Sequence, residues 1–202
     1  MKKLAFNEAD LFLVQKWNEA RDLEKAMAKV REKYREMLQE IGAEVLQGRR
    51  NDLDVFRQYD KQKWATDGFL LFGCKDWVYD NSDPSGFWFQ KLSLDYLTSG
   101  AEAPEAFVLA RSARKAGVNV VAAKERLWKE LPRLLGSENQ GQFQKLEDDG
   151  DCLIDWSFSS KEEILSWIVT GETQKLAECI QKQVAIFVKL LPVLNKVLQR
   201  PK

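Results

Sequence analysis

The sequence predicts an α+β fold in which long N-terminal and C-terminal helices pack with a small antiparallel sheet. Apolar residues step by four and three from Leu23 to Ile41 and again from Ile180 to Leu198, the spacing of a helical seam. Between these stretches the period shortens towards two, around a segment dense in turn formers. The composition, 45% apolar and 31% charged over 202 residues, belongs to a well-solvated chain long enough to build one core. A single domain over residues 1–202 is expected.

The first helix begins at Asn7, a good N-cap, with Asp10 three residues on and Phe6 and Leu11 spaced as a hydrophobic staple. Leu13, Trp17 and Ala20 lead into the seam of Leu23, Met27, Val30, Tyr34, Met37 and Ile41. The predicted helix covers 7–47, with Gly48 as its stop and Gly42 as the place for a bend. About 39 residues would span roughly 58 Å, whereas a compact body of this chain length is only about 43 Å across. Such a helix protrudes, bends, or lies along another long element.

The last helix supplies one candidate mate. Leu176, Ile180, Val184, Phe187, Leu191, Leu194 and Leu198 form a second seam, with Pro192 set to kink it near Val188. Two readings stay open: the seams pack inside the chain, or at least one of them serves a partner.

The sheet is read from a hairpin over about 68–97 and a strand over about 151–158. Gly68-Phe69-Leu70-Leu71-Phe72-Gly73-Cys74 is a buried-strand pattern, and residues 80–86 gather turn formers. Trp88, Gln90, Leu92, Leu94 and Tyr96 then occupy one face and Phe89, Lys91, Ser93 and Asp95 the other, a mostly two-fold alternation read as a second strand. Residues 105–116 suit a helix opened by Pro104 and ended by Gly117, or a strand through Phe107 and Leu109. Asn119 caps a helix reaching Leu135, and Ser160 with Glu163 forms a capping box for another.

Chemistry is constrained mainly by what is missing. The chain has no histidine, which removes the commonest general acid/base and every Ser-His or Cys-His pair. Cys74, Cys152 and Cys179 lack CxxC spacing and read as reduced core residues. The acidic run Glu147-Asp148-Asp149-Gly150-Asp151 lacks the alternating ligands of a calcium loop and reads as a solvated turn. Asp95 stands near a predicted strand end, but no acidic-x-lysine triplet follows it, as a two-carboxylate magnesium nuclease would need. No catalytic, cofactor-binding or metal-ligating residue is assigned, and no cofactor is expected.

Lysine plus arginine equals aspartate plus glutamate, 31 each, so the summed field draws in neither nucleic acid nor anionic lipid. The small basic groups Arg49-Arg50 and Arg111, Arg114, Lys115 read as helix ends or solvated faces. Met1-Lys2-Lys3-Leu4 runs into acidic residues with no continuous apolar stretch, so no secretion signal or membrane anchor is expected, and the expected location is cytoplasmic.

Seven tryptophans either fill a sheet-on-helix core or leave an aromatic face for a partner. The succession Gly68-Phe69-Leu70-Leu71-Phe72, Gly86-Phe87-Trp88-Phe89, Leu153-Ile154-Asp155-Trp156 and a terminal helix resembles the non-catalytic C-terminal region of bacterial PD-(D/E)XK nuclease superfamily proteins. The resemblance covers about two thirds of the chain and rests on aromatic pattern, so no catalytic residue carries over. It implies an accessory or regulatory piece of a bacterial or phage system.

The expected function is protein–protein interaction or regulation by binding a partner protein, through Val30, Tyr34, Met37 and Ile41 on the helical seam and Trp77 and Trp88 on the sheet. A homodimer through the N-terminal helix is one form of that expectation. The alternative is a divergent magnesium-dependent nuclease, or a subunit associated with one, using carboxylates such as Asp95 and Asp155.

Overall fold

A computed structural model of the chain describes residues 7–47, 54–55, 70–73, 77, 85–100, 102–136, 143 and 150–198. Its elements in order are α1 (Glu8–Gln15), α2 (Trp17–Gln47), β1 (Asp54–Val55), β2 (Leu70–Gly73), β3 (Gly86–Gln90), α3 (Leu94–Ser99), β4 (Glu105–Leu109), α4 (Arg111–Lys115), α5 (Val120–Leu135), β5 (Cys152–Ser157), α6 (Lys161–Thr170) and α7 (Thr173–Leu198). The α+β class and the two long terminal helices follow the pattern of the sequence.

The sheet is larger than expected. Five strands pair antiparallel in the order β1-β2-β3-β4-β5. The hairpin β2–β3 sets Leu71 opposite Trp88 and Phe72 opposite Phe87. The second strand stops at Gln90 rather than continuing to Tyr96, because Lys91 takes a left-handed backbone, φ 65°, which costs a non-glycine residue about 1 kcal/mol. Ser93 then caps α3 by accepting a hydrogen bond from the Tyr96 amide, so Leu94 and Tyr96 belong to a helix. Residues 105–109 resolve as strand, with Phe87 registered against Val108 and Val108 against Ile154. Only 111–115 are helical, and Gly117 follows them at φ 88°.

A register shift between Val108 and Leu109 places Leu109 opposite Cys152 and leaves Leu153 over. That residue is fully buried in the main core, the use a bulge allows by re-aiming one side chain. Helices α5 and α7 pack together, and α5 also packs on β5. Phe87 stacks on Phe187 with ring centroids 4.6 Å apart, and on Trp156 at 5.5 Å. Burying each such ring contributes roughly 2–3 kcal/mol. The indoles of Trp156 and Trp77 are also satisfied as donors. Trp156 Nε1 donates to Gln183 Oε1 at 2.9 Å, and Trp77 Nε1 to Asn195 Oδ1 at 3.0 Å.

Every seam residue of α7 is buried, namely Leu176, Ile180, Val184, Phe187, Leu191, Leu194 and Leu198, and the helix continues through Pro192. The N-terminal helix bends, but at Lys16 (φ −100°, ψ 20°) rather than at Gly42. Gly42 lies buried within α2. The ladder survives the bend, since the Lys16 amide bonds to Phe12 O and the Ala20 amide to Lys16 O. Asn7 and Asp10 make the full reciprocal capping box. The staple through Phe6, the stop at Gly48, the basic pair Arg49-Arg50 and Cys74 lie outside the described residues.

Candidate protein-binding surface

Helix α2 enters the body of the protein at Tyr34. The Tyr34 hydroxyl donates to Leu92 O at 2.7 Å, and burial pushes its pKa above the ordinary phenol value, so the ring is a neutral anchor. One turn on, Leu38 and Ile41 join the core, and Met37 packs against it half-buried. Gln181 of α7 donates to Glu44 at 3.3 Å. From this turn onward the seam is used inside the chain.

Before Tyr34 it is not. Leu23 is 63% exposed, Met27 47% and Val30 56%. Helix α1 has no buried residue, although Leu11, Phe12, Leu13 and Val14 are four apolar residues in succession. At 100° per residue they cover most of the helix circumference, a distribution that belongs to a helix enclosed by other groups. Trp17, 64% exposed, extends the same surface across the bend. Eight large apolar side chains between Leu11 and Val30 are thus about half or more exposed. Exposed large apolar residues are ordinarily scattered singly over a monomer, and eight within twenty positions of one arm mark a surface that another molecule covers.

Of the six residues that the sequence singled out for a partner, the structure brings only Val30 to the open surface. Tyr34, Ile41, Trp77 and Trp88 are buried and Met37 is half-buried, so a partner reaches them only by displacing the chain's own core. The sheet tryptophans are spent on packing: Trp77 meets Phe187 edge-on at 5.9 Å. Trp88 lies with Leu109 and Cys152 in a second, smaller cluster and stacks on Phe107. The residues missed were Leu11, Phe12, Leu13, Val14 and Trp17, and the unbroken apolar run 11–14 was the signal for them.

Two of the carboxylates weighed from the sequence, Asp95 and Asp151, form ion pairs within the chain. Asp95 is an exposed residue of α3 that accepts from Arg31 at 2.9 Å, and Asp155 lies in mid-strand opposite Phe107. Asp151 accepts from both Arg111 and Arg114, which joins the acidic run to the basic group; Glu147, Asp148 and Asp149 lie outside the described residues. Lys91 bridges Glu102 and Glu105. Burial lowers its pKa, but the hydrogen bonds and charges of the two carboxylates outweigh this and hold it above the ordinary lysine value. Among the described residues, no three Cys, Asp or Glu side chains converge as metal ligands, and no helix is long and apolar enough to cross a membrane. No family model, curated protein or solved structure matches the chain.

Proposed function

We propose that the chain works by binding another protein through the exposed apolar face of α1 and the first half of α2, as an interaction or regulatory module of a bacterial or phage system. The observation that carries this reading is the change of burial at one helical turn, from Val30, 56% exposed, to Tyr34, 7% exposed. The apolar stripe continues without interruption where the fold stops covering it. An exposed stripe of this size costs solubility unless something occupies it, and a rigid helix gives an occupant regularly spaced apolar anchors. The mechanism is occupancy, with the sheet and α7 holding the base of the arm.

Site-specific photo-crosslinking in the native host tests this directly. A crosslinker at Leu23 or Met27 should capture a protein, whereas one at exposed Val121 on α5 should not. Equal or absent capture at all three positions would rule out the arm as the binding surface.

A further inference from the structure

The charges along the arm identify what covers it. In the stretch 17–24, Glu19, Asp22 and Glu24 outnumber Arg21, while in 26–33 Lys29, Arg31 and Lys33 outnumber Glu32. The first stretch is net acidic by two and the second net basic by two, with Lys25 between them. A chain reversed about that point meets its own complement. A partner of one uniform sign would be repelled by one end. An anionic bilayer fits poorly too, because the densest apolar run, 11–14, follows directly on Glu8 and Asp10.

We infer that the occupant is a second copy of this chain, with the two α2 arms antiparallel and crossing at Lys25. This rests on the reading that the arm binds protein and specifies the partner. The seam fits the register. When residue numbers across the interface sum to 50, Leu23 meets Met27 and Ala20 meets Val30, each pair occurring twice by symmetry. The flanking positions then set Glu19 beside Lys33 of the other copy twice, against a single contact of Glu24 with its own copy at the crossing. A parallel pair would instead bring Glu19 beside Glu24, acid against acid. Each arm contributes residues 17–33, about 25 Å of helix, the part lying N-terminal to the Tyr34 anchor.

Sedimentation equilibrium of the full chain should show a dimer. Glu19→Lys and Lys33→Glu are exposed substitutions that leave the body folded, and each should weaken dimerisation about tenfold by making two attractive pairs repulsive. The double variant should recover most of the loss. Orientation is read separately by mixing Leu23→Cys with Met27→Cys in a thiol redox buffer and mapping the disulfides by mass spectrometry. The antiparallel pair predicts the mixed 23–27 bond in excess over either bond between identical positions. Identical-position bonds in excess, or a double variant no better than the singles, would overturn the arrangement. A native chain that stays monomeric at its highest soluble concentration would overturn self-pairing itself, as would binding to anionic vesicles in its place. The crosslinker at Leu23 separates the two levels: capture of a different protein leaves the protein-binding reading standing without the dimer, and no capture removes both.

Discussion

Helices α2 and α7 carry the same four-and-three apolar spacing, yet their stripes end in different places. In α7 each seam residue from Leu176 to Leu198 is buried, held between α5, α6 and α2. In α2 the same spacing is covered only from Tyr34 onward, and Leu23, Met27 and Val30 stand open. Periodicity therefore specifies that a face must be covered and does not specify by what. What separates the regions is the chain around them: Phe187, Gln183 and Asn195 of α7 meet the core aromatics Phe87, Trp77 and Trp156, whereas α2 meets the body at Arg31, Tyr34 and Glu44, through Asp95, Leu92 and Gln181.

Substitutions should divide along this line. The largest effect is expected in α7, where Phe187→Ala removes the ring that stacks on Phe87 and meets Trp77. It should cost about 3–5 kcal/mol in denaturant unfolding, whereas Leu23→Ala at an equivalent seam position should change the stability of the dilute monomer by less than about 0.5 kcal/mol. A similar loss at both sites would erase the distinction.

Tyr34 marks the boundary, and two changes there sharpen it. Tyr34→Phe keeps the packing but orphans Leu92 O, an expected loss of about 1–2 kcal/mol by the same measurement. Tyr34→Glu should unfold the monomer, while Val30→Glu, one turn earlier, should leave circular dichroism and melting temperature unchanged and abolish association. Folded, associated protein from both glutamate variants would contradict the placement of the boundary.

A smaller effect is expected at Lys91, away from both helices. Its side chain is 14% exposed and pairs with Glu102 and Glu105, so Lys91→Met should cost about 1–3 kcal/mol by leaving Glu105 underpaired. The pH dependence follows from the directions of the shifts. The Lys91 pKa is raised in the folded state, so its contribution is full below the unfolded value near ~10.4 and is lost as pH rises through the folded value. The Glu102 pKa is lowered, so its contribution is present above the unfolded value near ~4.3 and is lost as pH falls through the folded value. Unfolding curves of native protein and Lys91→Met should therefore converge at both extremes and differ most between them.

Much of the architecture was legible in the sequence because it rests on local signals. Asn7 with Asp10, Asn119, Ser160 and the α7 seam each announce themselves within a few residues. The reciprocal half of the Ser160 box does not form, because the Glu163 carboxylate accepts from the Ser159 hydroxyl instead. The features that escaped are long-range or single-residue. The left-handed Lys91 cut the second strand short, and the strand character of 105–109 depends on having partners on both sides. The candidate surface was half legible. Seam spacing pointed to α2 as a whole, but the position at which the fold stops covering it depends on Leu92, 58 positions away from Tyr34.

The most direct test of an arm that is bare in the monomer and covered in its assembly is hydroxyl-radical footprinting of Trp17 and Met27, with Trp77 as internal control, at low and high protein concentration. In dilute solution Trp17 and Met27 should oxidise readily while Trp77 stays protected, and both should become protected as the protein concentration rises. Protection of Met27 to the level of Trp77 in the dilute chain would contradict it, because the stripe would then already be covered within a single molecule.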